Sequence, residues 1–369
     1  MMTLQANAQR EGTGVVDFLE HHSHRVLAKH GFNGDGQPTE AVLGEVTAGT
    51  DRRQKAEVVE EQLAAVAEEM AQRGFSPEQI DSARQRAAGA VYEDPAHCTT
   101  VSVDDVDVKK QKAHRERAAA KPGDSPAIVP EPTPADAARK AGKSSRPRVA
   151  NTVARIEQGS KRFTLSAGSL GQVLRFVLAF LLHNELLGGR LHLFTDGYRS
   201  LQDTLSICFA WHPRVWLVLD WYHIVKKFKQ DLSRACGARE VRNRHLRMLV
   251  RFLWYGMVTE AQQYLDTIPA AQLKDPASIE RLRNYLERNA PSIPCYALRR
   301  RLGLRNGSSG VESANNQVTA RRQKRNGMSW SKAGSHALTA LSVLVCNGCQ
   351  DIWVREHIIP LRFVDKKAA

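Results

Sequence analysis

The chain has 369 residues, 42% of them hydrophobic and 25% charged, enough for one large domain with insertions or for two smaller ones. Lys and Arg outnumber Asp and Glu by 53 to 39, a formal net charge of +14. That excess favours a polyanionic partner, because each cation set on a phosphate releases a condensed counterion. Six cysteines, at 98, 208, 236, 295, 346 and 349, follow no disulfide spacing, which argues against a stapled secreted scaffold and for a reduced, cytoplasmic setting.

The start, MMTLQANAQREG, has no basic stretch leading into an apolar core and does not read as a secretory signal. Residues 1–97 are rich in Ala, Glu, Gln and Arg. AEVVEEQLAAVAEEMAQRGF sets apolar residues at helical spacing, and FSPEQIDSARQRAAGAVY restarts a helix on a Ser-Pro-Glu signal. The region is expected to be helical, with a hairpin that serves either as plain packing or as a helix-turn-helix reader of DNA. TTVSVDDVDVKKQ then alternates Val101, Val103, Val106 and Val108 around two aspartates, which suits a strand with one acidic point in it. Residues 118–147 mix prolines, small residues and lysines without periodicity and read as a linker.

RVANTVARIEQ and KRFTLS read as strands joined by a Gln-Gly-Ser turn. SLGQVLRFVLAFLLHNELLGG is expected to be a long helix ended by Gly188 and Gly189; its Gln172, Arg175, His183, Asn184 and Glu185 favour a buried core helix over a membrane span. RLHLFT is a short strand, YRSLQDTLSICFAW an amphipathic helix, RVWLVLD another buried strand and WYHIVKKFKQDLSRAC another helix. Three strands followed by alternating helices and strands predict an α/β fold, a sheet with helices packed against it, whose first part spans 98–236. Residues 237–305 carry helical periodicity with apolar seams and basic faces and read as an all-helical insertion. Residues 306–369 give a polar basic helix, a glycine turn and an apolar helix. Cys346 and Cys349 lie in that apolar run with no second Cys or His pair nearby, so they read as packing residues.

Three acids fall where an α/β sheet places ligands. Asp104 lies in the first strand, Asp196 just past the fourth, and Glu312 at the start of the polar helix after the loop RNGSSGV. Carboxylates converging there would suit Mg or Mn, hard ions that also accept phosphate oxygens. Asp105 rivals Asp104, and Asp220, which ends another apolar strand, rivals Asp196. Taken singly each acid has a plainer reading: Asp-Gly is a turn dipeptide, and an acid in a helix's first turn favours the macrodipole. From Glu312, Asn315, Asn316 and Thr319 follow at helical spacing on one face, and Arg321, Arg322, Lys324 and Arg325 come within two further turns. A carboxylate, two amides and a cationic cluster in that order suit a metal site beside DNA phosphates. Lys226, Lys227 and Lys229, and Arg299, Arg300, Arg301 and Arg305, are further candidates for phosphate contact. Trp330 reads as a packing anchor.

Four stretches in order carry a family resemblance: DD at 104–105, TDGYRSL at 195–201, PRVWLVLDWYH at 213–223 and GVESANNQVTARRQKRNGMSWS at 310–331. Together they resemble the DDE transposases of bacterial insertion sequences, in particular the ISKra and ISLre types related to the mutator-like group, over roughly residues 99–355. RRQKRNGMSWS is the most specific part. The resemblance implies a ribonuclease-H-like core with a helical insertion before the final Glu, and DNA cleavage and strand transfer with two Mg or Mn ions. It assigns Asp104, Asp196 and Glu312 as the catalytic carboxylates and ranks Asp220 below Asp196. Asp220 and His223 match the (C/D)xxH element of the mutator-like relatives, where the His orients a phosphate or a carboxylate. Double-stranded DNA is the implied partner, and an oligomer is expected because two element ends must be joined. A nuclease that only hydrolyses, or a DNA-binding relative without activity, would share these residues.

Overall fold

The structure, a computed structural model, describes residues 4–49, 52–111, 148–325 and 328–365; the stretch read as a linker, 118–147, lies outside the described residues. The valine alternation around the two aspartates does make a strand, β1 (Thr99–Lys109), which pairs antiparallel with β2 (Arg148–Gln158) along its whole length. The chain reverses at Gly159, whose φ of +56° is open to glycine at no steric cost, into β3 (Lys161–Ala167). On its other edge β1 is joined in parallel by β4 (Leu191–Thr195), and β4 by β5 (Val215–Leu219). With a two-residue β6 (Val364–Asp365) beside β3, the order across the sheet is β5-β4-β1-β2-β3-β6. The expected mixed α/β sheet is therefore present, with β1 at its centre.

Helices fill both faces. α5 (Leu170–His183) begins where the Ser169 hydroxyl accepts from the Gln172 amide at 3.4 Å, and nine of its fourteen residues are buried, as its composition implies. It stops earlier than its glycines suggest. The Asn184 side chain donates to Phe180 O at 2.8 Å and Leu361 O at 2.9 Å, and Glu185 turns left-handed at φ 54°, so Gly188 closes only a single 3-10 turn. α6 (Arg199–Cys208) connects β4 to β5, and α7 (Trp221–Ala235) leaves β5.

The helical N-terminal region divides its packing. α1 (Leu4–Lys29) lies against α5 and against α13 (Lys332–Cys346), in the same core as the sheet. Beyond α2 (Glu40–Thr47) come α3 (Ala56–Gln72) and α4 (Pro77–Ala88), a hairpin whose second helix opens on a reciprocal Ser76–Gln79 capping box. Leu63, Val66, Met70 and Ala83 of this pair share a core with the insertion, α8 (Arg239–Trp254), α9 (Val258–Asp266), α10 (Ala277–Asn289) and α11 (Tyr296–Arg301). Arg86 on α4 pairs with Glu260 on α9 at 2.8 Å. α12 (Ser309–Asn315), a five-residue π turn (Asn316–Ala320) and one last turn (Arg321–Gln323) precede α13 and α14 (Gln350–Glu356). Among the described residues no single helix is long and apolar enough to cross a membrane.

Phe180 of α5 is fully buried, its ring stacked on Phe163 of β3 at 4.6 Å between centroids. Truncating it leaves a cavity that close-packed neighbours fill only in part. Phe180→Ala is expected to destabilise the fold by about 3–5 kcal/mol, read as a lower urea midpoint at an unchanged m-value.

Candidate active site

Successive side chains of a strand point to opposite faces, and this separates the two adjacent aspartates. Asp104 faces α12, where its Oδ2 accepts from Asn315 Nδ2 at 2.6 Å and its Oδ1 from the Asp105 amide at 2.9 Å. Val153, its partner across the ladder, packs with Val311, Ala314 and Val318 on that same face. Asp105 points the other way and accepts from Thr152 Oγ1 at 2.5 Å. Asp105 therefore cannot join a cluster built around Asp104.

Asp196 reaches the same neighbourhood through register. The parallel ladder runs from Thr99 beside Leu191 to Ser102 beside Phe194. Asp196 follows β4 directly, and Asp104 lies two residues past Ser102 on the adjacent β1, so both acids stand toward the same end of two neighbouring parallel strands. Asp196 sits in a tight turn: its Oδ1 accepts from the Tyr198 amide at 2.8 Å, and Gly197 follows at φ +83°. Only glycine suits position 197, since a Cβ there would also fall 2.7 Å from the Tyr285 hydroxyl. Tyr285 and Arg288, both on α10, close over this turn, Arg288 donating to Gly197 O at 3.1 Å. The Tyr285 hydroxyl is buried without a hydrogen-bond partner, and burial, with the nearby Asp196 charge, raises its pKa. Neither residue stands out in the sequence, because both sit in an ordinary amphipathic helix far from the acids along the chain.

Glu312, exposed on α12, lies 3.3 Å from His223 Nε2, so the helix from β5 and the helix after the insertion meet at this ion pair. Asp220 holds them in place. It is 2% exposed and caps α7: its Oδ1 accepts from the His223 amide at 3.1 Å, and its Oδ2 accepts from both the Ser308 amide and the Ser308 hydroxyl. Three of the roughly four acceptor positions of a carboxylate are thus filled. Asp220, the rival metal ligand, is thus tied to a helix terminus and a loop, and it positions the groups around it.

The helix of Glu312 also departs from the expected single face. Asn315 and Thr319 turn inward, Thr319 fully buried 3.4 Å from Thr339, while Glu312 and Asn316 stay exposed; a π turn runs from Asn316 to Ala320. Beyond it, buried Gln323 donates to Thr339 Oγ1 at 2.8 Å and accepts from Ser335 Oγ at 2.6 Å, and Asn151 of β2 bonds both Ser335 and Thr339. Trp330 is the anchor expected of it, its indole donating to Gln323 O at 3.1 Å and its backbone bridging to the end of β1.

Several cations predicted to meet phosphate are engaged elsewhere. Arg299 is fully buried over the Trp216 ring, donating to Arg305 O at 2.6 Å, so it cannot touch DNA; burial lowers its pKa. Lys227 pairs with buried Asp231 at 2.8 Å, Arg301 with Glu69 at 3.4 Å and Arg305 with Glu157 at 3.0 Å. Lys226, Lys229, Arg300, Arg321, Arg322, Lys324 and Arg325 remain exposed.

The donor set fits a hard divalent cation. Asp104, Asp196 and Glu312 offer carboxylate oxygens, and Asn315 Oδ1 is a buried carbonyl oxygen with no hydrogen-bond partner, next to Asp104. Among the described residues no three His, Cys, Asp or Glu side chains are gathered closely enough to ligate one ion. Searches against protein-family models, curated proteins and solved structures each give no match to this chain.

Burial raises the pKa of Asp104, against the opposing pull of the Asn315 and Asp105 hydrogen bonds and the His223 charge. A carboxyl whose folded pKa is raised favours folding most below its unfolded pKa, and that contribution is lost as pH rises through the folded value. Asp104→Asn should therefore raise the urea midpoint at neutral pH, with Asn315 turning over to satisfy the new amide, and the gain should vanish below about pH 4. Asp220→Asn has the opposite sign. It sets an amide against the Ser308 donors and should cost about 1–3 kcal/mol in the same measurement.

Proposed function

We propose that the protein is a DDE transposase of the insertion-sequence kind, which cleaves DNA at element ends and joins the freed ends to a target. The observation that carries this reading is the placement of Asp104. It stands on β1, beside the strand that Asp196 follows, and is hydrogen-bonded through Asn315 to the helix that bears Glu312. Three antiparallel strands followed by two parallel ones, with a helical insertion before the last acid, are compatible with a ribonuclease-H-like core.

In this reading Asp104, Asp196 and Glu312 would hold two Mg or Mn ions, which activate the attacking oxygen and stabilise the leaving one. His223 orients the Glu312 carboxylate across their 3.3 Å contact. Asn315 holds Asp104 in one rotamer, and Tyr285 and Arg288 fix the turn that presents Asp196. Lys226, Lys229 and Arg300 lie on exposed surface and would position the phosphate backbone without reading sequence. The site works on double-stranded DNA, and joining two ends requires at least two copies of the chain.

The test is Mg- or Mn-dependent cleavage and joining of labelled DNA carrying the element ends. Asp104→Asn, Asp196→Asn and Glu312→Gln should each remove both products, while Asp105→Asn keeps them, because Asp105 faces away. Cut but unjoined products would make the protein a hydrolysing nuclease. DNA binding without any metal-dependent product would make it a binding protein, and full activity of Glu312→Gln would sink the assignment.

A further inference from the structure

A second basic site lies at the far end of the helix that carries Glu312. Arg321, Arg322 and Arg325 line a cavity of about 480 Å³, closed from the other side by Arg162 of β3 and floored by Ser342 and Cys346 of α13. Among the described residues no carboxylate lies within ion-pairing distance of any of these four arginines, although Arg155, Arg175, Arg199, Arg234, Arg281, Arg283, Arg301 and Arg305 all have one. Arg162 Nε is buried with no hydrogen-bond partner. Four like charges around one cavity repel one another, and a buried guanidinium nitrogen left unpaired has a desolvation cost. An anion in the cavity relieves both, and guanidinium groups suit phosphate because they present paired donors in a fixed plane.

The cavity is connected to the acids by one exposed stripe. Positions 312, 316 and 321 are all exposed, and their spacing of four and five follows the helix because the π turn supplies the extra residue; Arg325, also exposed, lies just past the last turn. Without that turn Arg321 would rotate off the line of Glu312. At 1.5 Å per residue Arg321 stands about 14 Å from Glu312, far enough to contact the DNA backbone away from the reacting phosphate.

We propose that Arg162, Arg321, Arg322 and Arg325 form a phosphate-binding pocket that anchors the backbone of duplex DNA away from the phosphate at the acidic site. The position along the DNA rests on the transposase reading; the pocket itself does not. Sequence-independent backbone contact is its role, and it works without a divalent cation.

The experiment measures binding of a short labelled duplex to the full chain in EDTA across a range of salt, for wild type, Arg162→Ala, Arg162→Ala with Arg322→Ala, Arg162→Lys, Glu312→Gln and, as a charge control, Arg355→Ala, an exposed arginine on α14. Each phosphate deprived of its arginine should flatten the slope of log K against log salt by about 0.9. The expected result is a slope flatter by about that step for Arg162→Ala and by two steps for the double variant. Arg162→Lys should restore most of it, and Arg355→Ala should match wild type. Circular dichroism checks that the variants are folded. Slopes for the Arg162 variants equal to wild type or to the control would overturn the pocket while leaving the catalytic reading standing. The expected slopes together with full cleavage by Glu312→Gln would overturn the catalytic reading and leave the pocket. A wild type that binds no duplex would overturn both.

Discussion

A single buried carboxylate, Asp220, sets the geometry on which the rest depends. An ionised group at 2% exposure is tolerated only when hydrogen bonds replace the water it has lost. Here the donors come from the first turn of α7 and from Ser308 in the loop before α12, while the Asp220 amide itself donates to Thr195 O at the end of β4. The requirement to satisfy one charge thus fixes the end of β4, the start of the helix bearing His223 and the loop leading to Glu312. Even Gly307 is part of this, since a Cβ there would press on Asp220 Oδ2 at 3.0 Å. The acid in the motif that looks most like a spare metal ligand is the one that brings the other groups together.

A second constraint holds the opposite end of the same helix. Gln323, Ser335, Thr339 and Asn151 are buried polar groups that satisfy one another across the last helical turn, α13 and β2. Buried networks of this kind are favourable only when every member is paired, and so admit few alternative packings. With Asp220 fixing one end and Gln323 the other, the segment between them must fit a set length, and the π turn takes up the difference. Ahead of that turn Asn315 points inward to Asp104 while Glu312 stays exposed.

Much of this is legible in the sequence, and the failures have physical causes. Strand alternation, the Gly159 turn and the Ser76 capping box each depend on local chemistry, so every strand of the five-stranded core appears where its pattern places it. The end of α5 is not legible, because Asn184 and Glu185 stop the helix before its glycines, through a bond to Leu361 that is distant in sequence. The choice between Asp104 and Asp105 stays open for the same reason: the pattern shows two acids, whereas only the packing of α12 shows which face is lined. Arg299 and Lys227 look like surface cations in any one-dimensional reading. Whether an arginine meets solvent or a tryptophan ring depends on tertiary neighbours that spacing does not encode.

The charge distribution has the same logic as the site. A net charge of +14 is unfavourable to a compact chain through self-repulsion, and the fold offsets much of it by pairing cations with acids around the insertion, at Glu69, Glu260 and Asp275 among others. Among the described residues the same pairing is missing at Arg321, Arg322 and Arg325, beyond the exposed helix that bears Glu312. Asp104 shows the matching pattern for an acid, half-buried with its ionised form disfavoured and an unpartnered amide oxygen beside it. An acid whose charged form is disfavoured and arginines without an acidic partner are both groups that a ligand of opposite charge would stabilise, and the proposed metal and phosphate contacts rest on that.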